Sequence, residues 1–166
     1  MFRSLPLEQV AQHLAAAGFE EIEIFDRART DDWLADLVYA AGLLQTNGLR
    51  VRTVHSPVIG WEVDSPDESL RRLALQACHR CLEASAQLGA EAVIIHPNGA
   101  HLAFDAADYG RSWQRTRQSL EWLAAQAAEV GIKLAVENLP AHFTPRPGMY
   151  VTDLLRMIED LGDHVG

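Results

Sequence analysis

The stretch AVIIHPNG, residues 92–99, decides the fold, because four apolar residues run directly into a histidine and a proline. A short apolar run rich in β-branched residues is typical of a buried strand in a parallel sheet. Pro97 ends the strand, since proline lacks the N–H that a sheet ladder needs. His96 therefore stands at a strand end, where a structural role, a metal ligand and a substrate contact are all open to it.

Helical patterns alternate with similar strands along the whole chain. Apolar residues recur at helical spacing in five segments, which end at glycines 18, 48, 89, 131 and 162. The third helix has start signals at Ser65 as N-cap, Pro66 as first helical residue and Glu68, and the fifth is expected over residues 152–161. The strands after the first four helices are EIEIF (21–25), LRVRTVH (49–55), AEAVIIH (90–96) and IKLAVEN (132–138).

This alternation predicts an α/β fold with parallel strands joined by right-handed crossovers. No G-x-G-x-x-G or Walker-type loop follows a strand, which weighs against a nucleotide-binding open sheet and favours a parallel (β/α) barrel of the TIM type. A closed barrel takes about 250 residues. With 166 residues, the expectation is one domain over residues 1–166, a partial barrel of about four to five βα units.

His55, His96 and Glu137 end three successive strands, and 41 residues separate each from the next. Equal separations place them at equivalent points of successive βα units, hence at the carboxyl edge of the sheet where α/β proteins build their sites. Two imidazoles and a carboxylate are ligands for a divalent metal. A glutamate on an apolar strand is also costly to bury unless it is paired or coordinated. The three residues are therefore predicted to form a metal site.

Further residues are candidates for substrate binding. Glu23 is expected at the corresponding strand end one unit earlier, facing the same cavity or partly solvated. Trp61, in the loop after His55, could wall a pocket, and Asn138 follows Glu137 directly. His142 lies in the loop after the last strand, where it either contacts a substrate hydroxyl or phosphate or is solvated.

Composition weighs against several classes of function. A net charge of −9 disfavours binding to the phosphate backbone of nucleic acids and to anionic membranes. No run approaches the roughly 20 apolar residues of a membrane span, and the first ten residues lack a secretory signal, so a cytoplasmic location is expected. Cys78 and Cys81 fall deep inside a helical pattern, which favours a packed, inert role over a redox or zinc role.

The chain resembles the xylose isomerase-like TIM barrel superfamily, which includes sugar phosphate isomerases and epimerases and is related to endonuclease IV-type enzymes. The motifs FEEIEIF, VHSP, AVIIHPNG and LAVENLP carry the resemblance, in that order. It implies that Glu137 binds a divalent metal (Mn, Mg, Co or Zn) and takes part in proton transfer. The residues matching His55 and His96 are metal ligands in the endonuclease branch and mostly pocket residues in the sugar-epimerase branch.

The resemblance leaves three functional hypotheses. The first is a metal-dependent isomerase or epimerase of a small-molecule sugar or sugar phosphate, acting through an ene-diolate. The second is an endonuclease IV-type phosphodiesterase, which the net charge of −9 disfavours. The third is a non-catalytic truncated barrel that pairs its exposed edge strands with another copy or with the missing segment of the barrel. The family's barrel has a strand before the first helix and further ligands on later strands, so we expect a fragment or truncated form with an incomplete metal site.

Overall fold

The structure, a computed structural model, describes residues 5–25, 33–58, 60–99, 106–139 and 146–166. Helices and strands alternate in the predicted order. The elements are α1 (Leu7–Ala16), β1 (Glu21–Phe25), α2 (Trp33–Thr46), β2 (Arg50–His55), α3 (Glu68–Gln87), β3 (Ala92–Ile95), α4 (Ala106–Val130), β4 (Lys133–Val136) and α5 (Val151–Ile158).

The four strands form one parallel sheet in the order β1-β2-β3-β4. Each strand pairs with its neighbour in sequence, as in a barrel, whereas a doubly wound sheet reverses its order at a switch point. Over the described residues the sheet does not close on itself. The segment His164–Gly166 lies parallel to β4 on its other side, with Leu134 N donating to His164 O at 2.7 Å and Gly166 N to Leu134 O at 3.0 Å. The prediction of a partial TIM-type barrel is confirmed.

The two faces of the sheet differ in polarity. On one face, Val51, Val54, Val93, Ile95 and Leu134 are buried. They belong to one apolar core, which also contains residues from each of the five helices. The other face, here called the inner face, carries exposed charged side chains at the beginnings of the strands. Because the helices cover only one face, the candidate site lies on the uncovered side of the sheet, as in the interior of a barrel.

Two helix boundaries differ from the sequence predictions. Asp67, rather than Ser65, caps α3: its carboxylate accepts from Ser69 N at 2.8 Å and Leu70 N at 3.1 Å. Ser65 instead belongs to the preceding turn, where its N–H donates to Glu62 O. Helix α5 ends at Ile158, three residues early, because Glu159 leaves the helical conformation with ψ 130°.

Both cysteines are buried and free, as predicted. Burial raises the pKa of Cys81 to about 12 and also raises that of Cys78, so neither thiol ionises readily near neutral pH. Within the described parts of the chain, no helix combines the length and apolar character that a membrane crossing requires.

Candidate metal centre

Three adjacent strands bring His55, His96 and Glu137 to one edge of the sheet. His55 is the last residue of β2, whereas His96 and Glu137 each follow directly after a strand. The backbone pairing continues past the strand ends, with Ser56 N donating to Ile94 O at 2.9 Å and Glu137 N to Ile95 O at 3.0 Å. The continued register holds the three side chains at one level. We call them the rim cluster.

The rim cluster converges on a single oxygen atom. Glu137 Oε2 lies 2.8 Å from His55 Nε2 and 3.1 Å from His96 Nε2. The two imidazole rings meet edge to face, with centroids 5.1 Å apart. One potential ligand atom from each residue lies within 4.8 Å of the others. The predicted juxtaposition of these three residues is therefore present in the fold.

The second ring nitrogen of His55 constrains how the cluster is protonated. His55 Nδ1 lies 2.8 Å from the carbonyl oxygen of Ser56, and a carbonyl only accepts, so Nδ1 carries the proton. In neutral His55 the Nε2 lone pair then faces the carboxylate oxygen of Glu137. Two acceptors at 2.8 Å need a cation between them or a proton on His55 Nε2. A ring N–H held by a backbone carbonyl is also the usual support of a metal-ligating histidine.

The side chains of the rim cluster become more exposed from His55 to Glu137. The side chains of His55, His96 and Glu137 are 7%, 27% and 44% exposed. Burial lowers the pKa of His96 below 6.5, the charge of His55 lowers it further, and Glu137 opposes both effects. The neutral imidazole that metal coordination needs is thus favoured at His96. Glu137 is more exposed than a glutamate on an apolar strand was expected to be, because the inner face is uncovered.

A buried aspartate fixes the loops behind the rim cluster. Asp64, in the loop after β2, is fully buried. Its carboxylate accepts from Gly99 N at 2.9 Å and from Ser112 Oγ at 2.6 Å, and its carbonyl oxygen accepts from Arg115 Nε at 2.6 Å. These bonds join the loops after β2 and β3 to helix α4. They hold the segment that follows His96 in place.

The loops after β3 and β4 are also joined directly. Asn98 Nδ2 donates to the carbonyl oxygen of Pro147, and Arg146 Nη1 donates to Gly99 O at 3.4 Å. Gly148, at φ 87°, packs so closely that an added Cβ would lie 2.5 Å from Pro97 Cγ. The two loops therefore form one packed layer beside the rim cluster.

Glu23 lies two residues before the end of β1, not at the strand end where it was predicted. Phe25, not Glu23, pairs with His55, and their ring centroids are 4.1 Å apart. Glu23 pairs with Thr53, whose hydroxyl donates to Glu23 Oε2 at 2.9 Å. The placement of Glu23 at the strand end was wrong because residue spacing does not show where a strand ends, and the register shift after Ile22 adds one residue to β2. Its role in substrate binding stays a prediction.

The other three predicted substrate contacts have different surroundings. Trp61 is half-buried and packs against the apolar core. Asn138 is exposed, directly after Glu137. His142 lies outside the described residues. Substrate binding by these residues stays a prediction.

A cavity of about 370 Å³ opens beside His55, on the side of β1 and α2. Its lining is mainly apolar and includes Phe25, Leu37, Val54 and Pro57. The sequence did not indicate this cavity, and it also missed the polar support of the rim. Asp64 and Asn98 looked like ordinary loop residues, and only their burial in the folded chain distinguishes them.

A parallel sheet in sequential order, with helices on one face and a His-His-Glu cluster at the carboxyl edge, defines a partial (β/α) barrel with a candidate metal centre. A family model described as Xylose isomerase-like TIM barrel matches residues 11–166. The chain belongs to this family.

Solved structures with the same fold include sugar epimerases. A D-tagatose 3-epimerase-like protein has a TM-score of 0.78 and 21% identity, covering 93% of this chain and 57% of that protein. The 3-keto-D-glucoside 4-epimerase of E. coli has a TM-score of 0.82 and 19% identity, covering 99% and 64%. A xylose isomerase-like TIM barrel protein from Mycobacterium smegmatis, in complex with magnesium, has a TM-score of 0.64 and 18% identity, covering 98% and 56%.

A curated relative is an uncharacterized protein of Methanocaldococcus jannaschii. It is 24% identical over 90 residues, which cover 54% of this chain and 35% of that protein. This chain thus spans about a third of the curated relative that it matches and 56–64% of the three structural neighbours. At these identities, the structural likeness establishes the fold.

Proposed function

We propose that His55, His96 and Glu137 bind a divalent metal ion in an isomerase or epimerase of small sugars. One observation carries the proposal: three ligand atoms from three adjacent strand ends lie within 4.8 Å of one another. The donor set fits a metal, because the Nδ1 proton of His55 is held by Ser56 O and its Nε2 lone pair faces Glu137. A cation at that point would relieve the opposition of the two acceptors.

The choice of metal follows from the donor types. Imidazole nitrogen suits zinc, cobalt and manganese, whereas carboxylate oxygen also suits magnesium. All four ions are compatible with a mixed set of two nitrogens and one oxygen. When bound, the ion would supply Lewis-acid polarisation of a substrate carbonyl.

The chain's own residues would position the substrate and move a proton. Glu137 is 44% exposed, so a sugar can approach it from the open inner face. Its Oε2 lies 2.8 Å from His55 Nε2 and 3.1 Å from His96 Nε2, and among the described residues none donates a hydrogen bond to its Oε1. Oε1 is thus available to take a proton from the carbon beside a substrate carbonyl. Return of that proton to the neighbouring carbon, with a second proton passing from the hydroxyl oxygen to the former carbonyl oxygen, gives isomerisation through an ene-diolate. Epimerisation instead needs a second acid that protonates the same carbon from the opposite face.

Relatives of the same fold support a sugar as the substrate class. The proteins described above include a D-tagatose 3-epimerase-like protein and a 3-keto-D-glucoside 4-epimerase. The name of the second gives a hydroxylated carbonyl compound as its substrate, which suits the chemistry of a metal beside a carboxylate base.

Deuterium exchange tests the proposal. The full chain with Mn²⁺ is incubated in D₂O with D-fructose, D-tagatose and D-ribulose, and deuterium at the carbons beside the carbonyl is measured by NMR. We expect incorporation into at least one sugar, abolished in Glu137→Gln and retained in Glu91→Gln, a matched control at the other end of the inner face. No exchange into any sugar, or equal exchange by Glu137→Gln, would contradict the proposal.

A further inference from the structure

Arg146, in the loop after β4, is a buried arginine with few partners. It is 5% exposed. Among the described residues its side chain makes one hydrogen bond, from Nη1 to Gly99 O, and that bond is long at 3.4 Å. Its Nε is buried and has no hydrogen-bond partner within the described parts of the chain. A guanidinium has five N–H donors, so most of the donor capacity of Arg146 is unused by these contacts.

The charge of Arg146 is also poorly compensated. No carboxylate of the described residues lies within ion-pair distance of it. Asp64 is the acidic group whose field reaches Arg146, but both Asp64 carboxylate oxygens already accept hydrogen bonds, from Gly99 N and Ser112 Oγ. Burial accordingly lowers the pKa of Arg146. A buried cation without a close anion is costly and calls for an explanation.

A second buried polar atom without a partner lies in the adjoining loop. Asn98 is 3% exposed, and its Nδ2 donates to the carbonyl oxygen of Pro147, the residue after Arg146. In the portion of the chain that the structure describes, its Oδ1 has no hydrogen-bond partner. The two loops thus offer an unused donor on Arg146 and an unused acceptor on Asn98. A ligand with both an anionic oxygen and a hydroxyl group would satisfy both atoms.

This pair lies beside the rim cluster. Asn98 is two residues after His96, and Arg146 Nη1 donates to the carbonyl oxygen of Gly99, three residues after His96. A group held by Arg146 would therefore belong to a molecule that also reaches the rim cluster.

We infer that Arg146, supported by Asn98, recognises an anionic group, a phosphate or a carboxylate, on the sugar that binds at the rim cluster. The inference rests on the proposed function for the rim cluster and specifies its substrate class. A hydrogen bond from a guanidinium to an anionic oxygen is about twice as strong as one between neutral groups. Arg146 thus selects charged over neutral sugars.

Calorimetric titration of the full chain with Mn²⁺ tests the inference. The ligands are D-fructose, D-fructose 6-phosphate and D-fructuronate, which carry a hydroxyl, a phosphate and a carboxylate at C6. We expect one anionic ligand to bind at least about tenfold more tightly than D-fructose, and which one identifies the anion. Arg146→Met removes this preference, Arg146→Lys keeps part of it, and both variants bind Mn²⁺ as the unaltered chain does.

Four results would overturn the inference. Equal binding of all three ligands, or no binding of any, excludes selection by charge. Loss of affinity for Mn²⁺ in both Arg146→Met and Arg146→Lys shows that Arg146 stabilises the loops after β3 and β4 and does not recognise the ligand. An unchanged preference for the anionic ligand in Arg146→Met shows that Arg146 does not select the anionic group. Failure of the proposed function is separate, because the unaltered chain would then not bind Mn²⁺, whatever its preference among the ligands.

Discussion

The inner face of the sheet carries a polar cluster at each end, and the two clusters differ in kind. At the beginnings of the strands, Glu21, Arg50, Arg52 and Glu91 form a network of ion pairs, here called the amino-end network. Its side chains are 36–56% exposed. At the carboxyl ends lies the rim cluster, in which two imidazoles share one carboxylate oxygen.

The two clusters differ in how well their charged groups are paired. In the amino-end network each carboxylate pairs with both arginines, which lowers the pKa of Glu21 and of Glu91 and leaves no atom in need of a cation. In the rim cluster the Nε2 lone pair of neutral His55 faces a carboxylate oxygen, so a metal ion or a proton is needed between them. The same separation of 41 residues joins Arg50 to Glu91 and His96 to Glu137. Equal spacing therefore reports strand register, and the residue types decide which end can bind a metal.

Removal of Asp64 should have the largest effect on stability. Asp64→Ala leaves the N–H of Gly99 and the hydroxyl of Ser112 buried without their acceptor, at about 1–3 kcal/mol each. Urea denaturation should show a loss of about 2–6 kcal/mol. Glu21→Ala in the exposed amino-end network should leave the urea midpoint nearly unchanged. Equal shifts of the urea midpoint in the two variants would contradict the conclusion that buried hydrogen bonds stabilise the rim more than exposed ion pairs stabilise the amino end.

Two glycines separate backbone strain from close packing. Gly148 at the rim and Gly89 at the amino end both have positive φ, 87° and 77°. Alanine in that conformation costs roughly 1–2 kcal/mol at either position. Only at Gly148 would the new Cβ meet Pro97 Cγ, at 2.5 Å, whereas nothing lies within 4 Å at Gly89. Gly148→Ala should thus lose about 1–3 kcal/mol more than Gly89→Ala in urea denaturation.

The pH dependence of His96 tests the electrostatics of the rim. Burial and the charge of His55 lower its pKa below 6.5, so the unfolded chain takes up this proton more readily than the folded one. Above about pH 6.5, His96 therefore does not lower the free energy of unfolding. As pH falls below that value, protonation of His96 in the unfolded chain destabilises the fold. NMR titration of the metal-free chain should give a midpoint for His96 below 6.5. A midpoint above 6.5 would show that attraction to Glu137 outweighs burial.

The amino-end network should give the smallest effects. Arg50 holds the pKa of Glu21 and of Glu91 below 4.5, so the pairing stabilises the fold above that pH and is lost as pH falls through the lowered values. The groups are exposed and screened by salt. Arg50→Gln should change acid unfolding only slightly and only at low salt. A large change at 0.5 M salt would mean that this network holds the sheet.

Much of the fold follows from the sequence because its signals are local. Glycines at positive φ end α1, α2, α3 and α4, and each apolar run that follows becomes a strand. The rim cluster was also predictable, since its residues occupy matched strand ends. Local patterns do not fix registers between strands, so Glu23 was placed one pleat too high and Phe25 was missed.

The support of the rim was not predictable for a different reason. Asp64, Asn98 and Arg146 are polar residues in loops, where solvation is the ordinary expectation. Their burial arises from contacts between segments 35 to 49 residues apart, which no periodic pattern shows. The motif SPDE (65–68), directly after Asp64, was correctly interpreted as a helix start, but the residue that caps the helix is Asp67.

Titration with Mn²⁺ is the most direct test of the central claim that chemistry, not spacing, distinguishes the two ends of the inner face. The unaltered chain, Glu137→Gln and Glu91→Gln are compared by calorimetry. Glu137→Gln should bind at least about 100-fold more weakly, because even outer partners of metal ligands contribute about 10–100-fold. Glu91→Gln should bind within about twofold of the unaltered chain. Unchanged binding by Glu137→Gln, or an equal loss in both variants, would contradict the account.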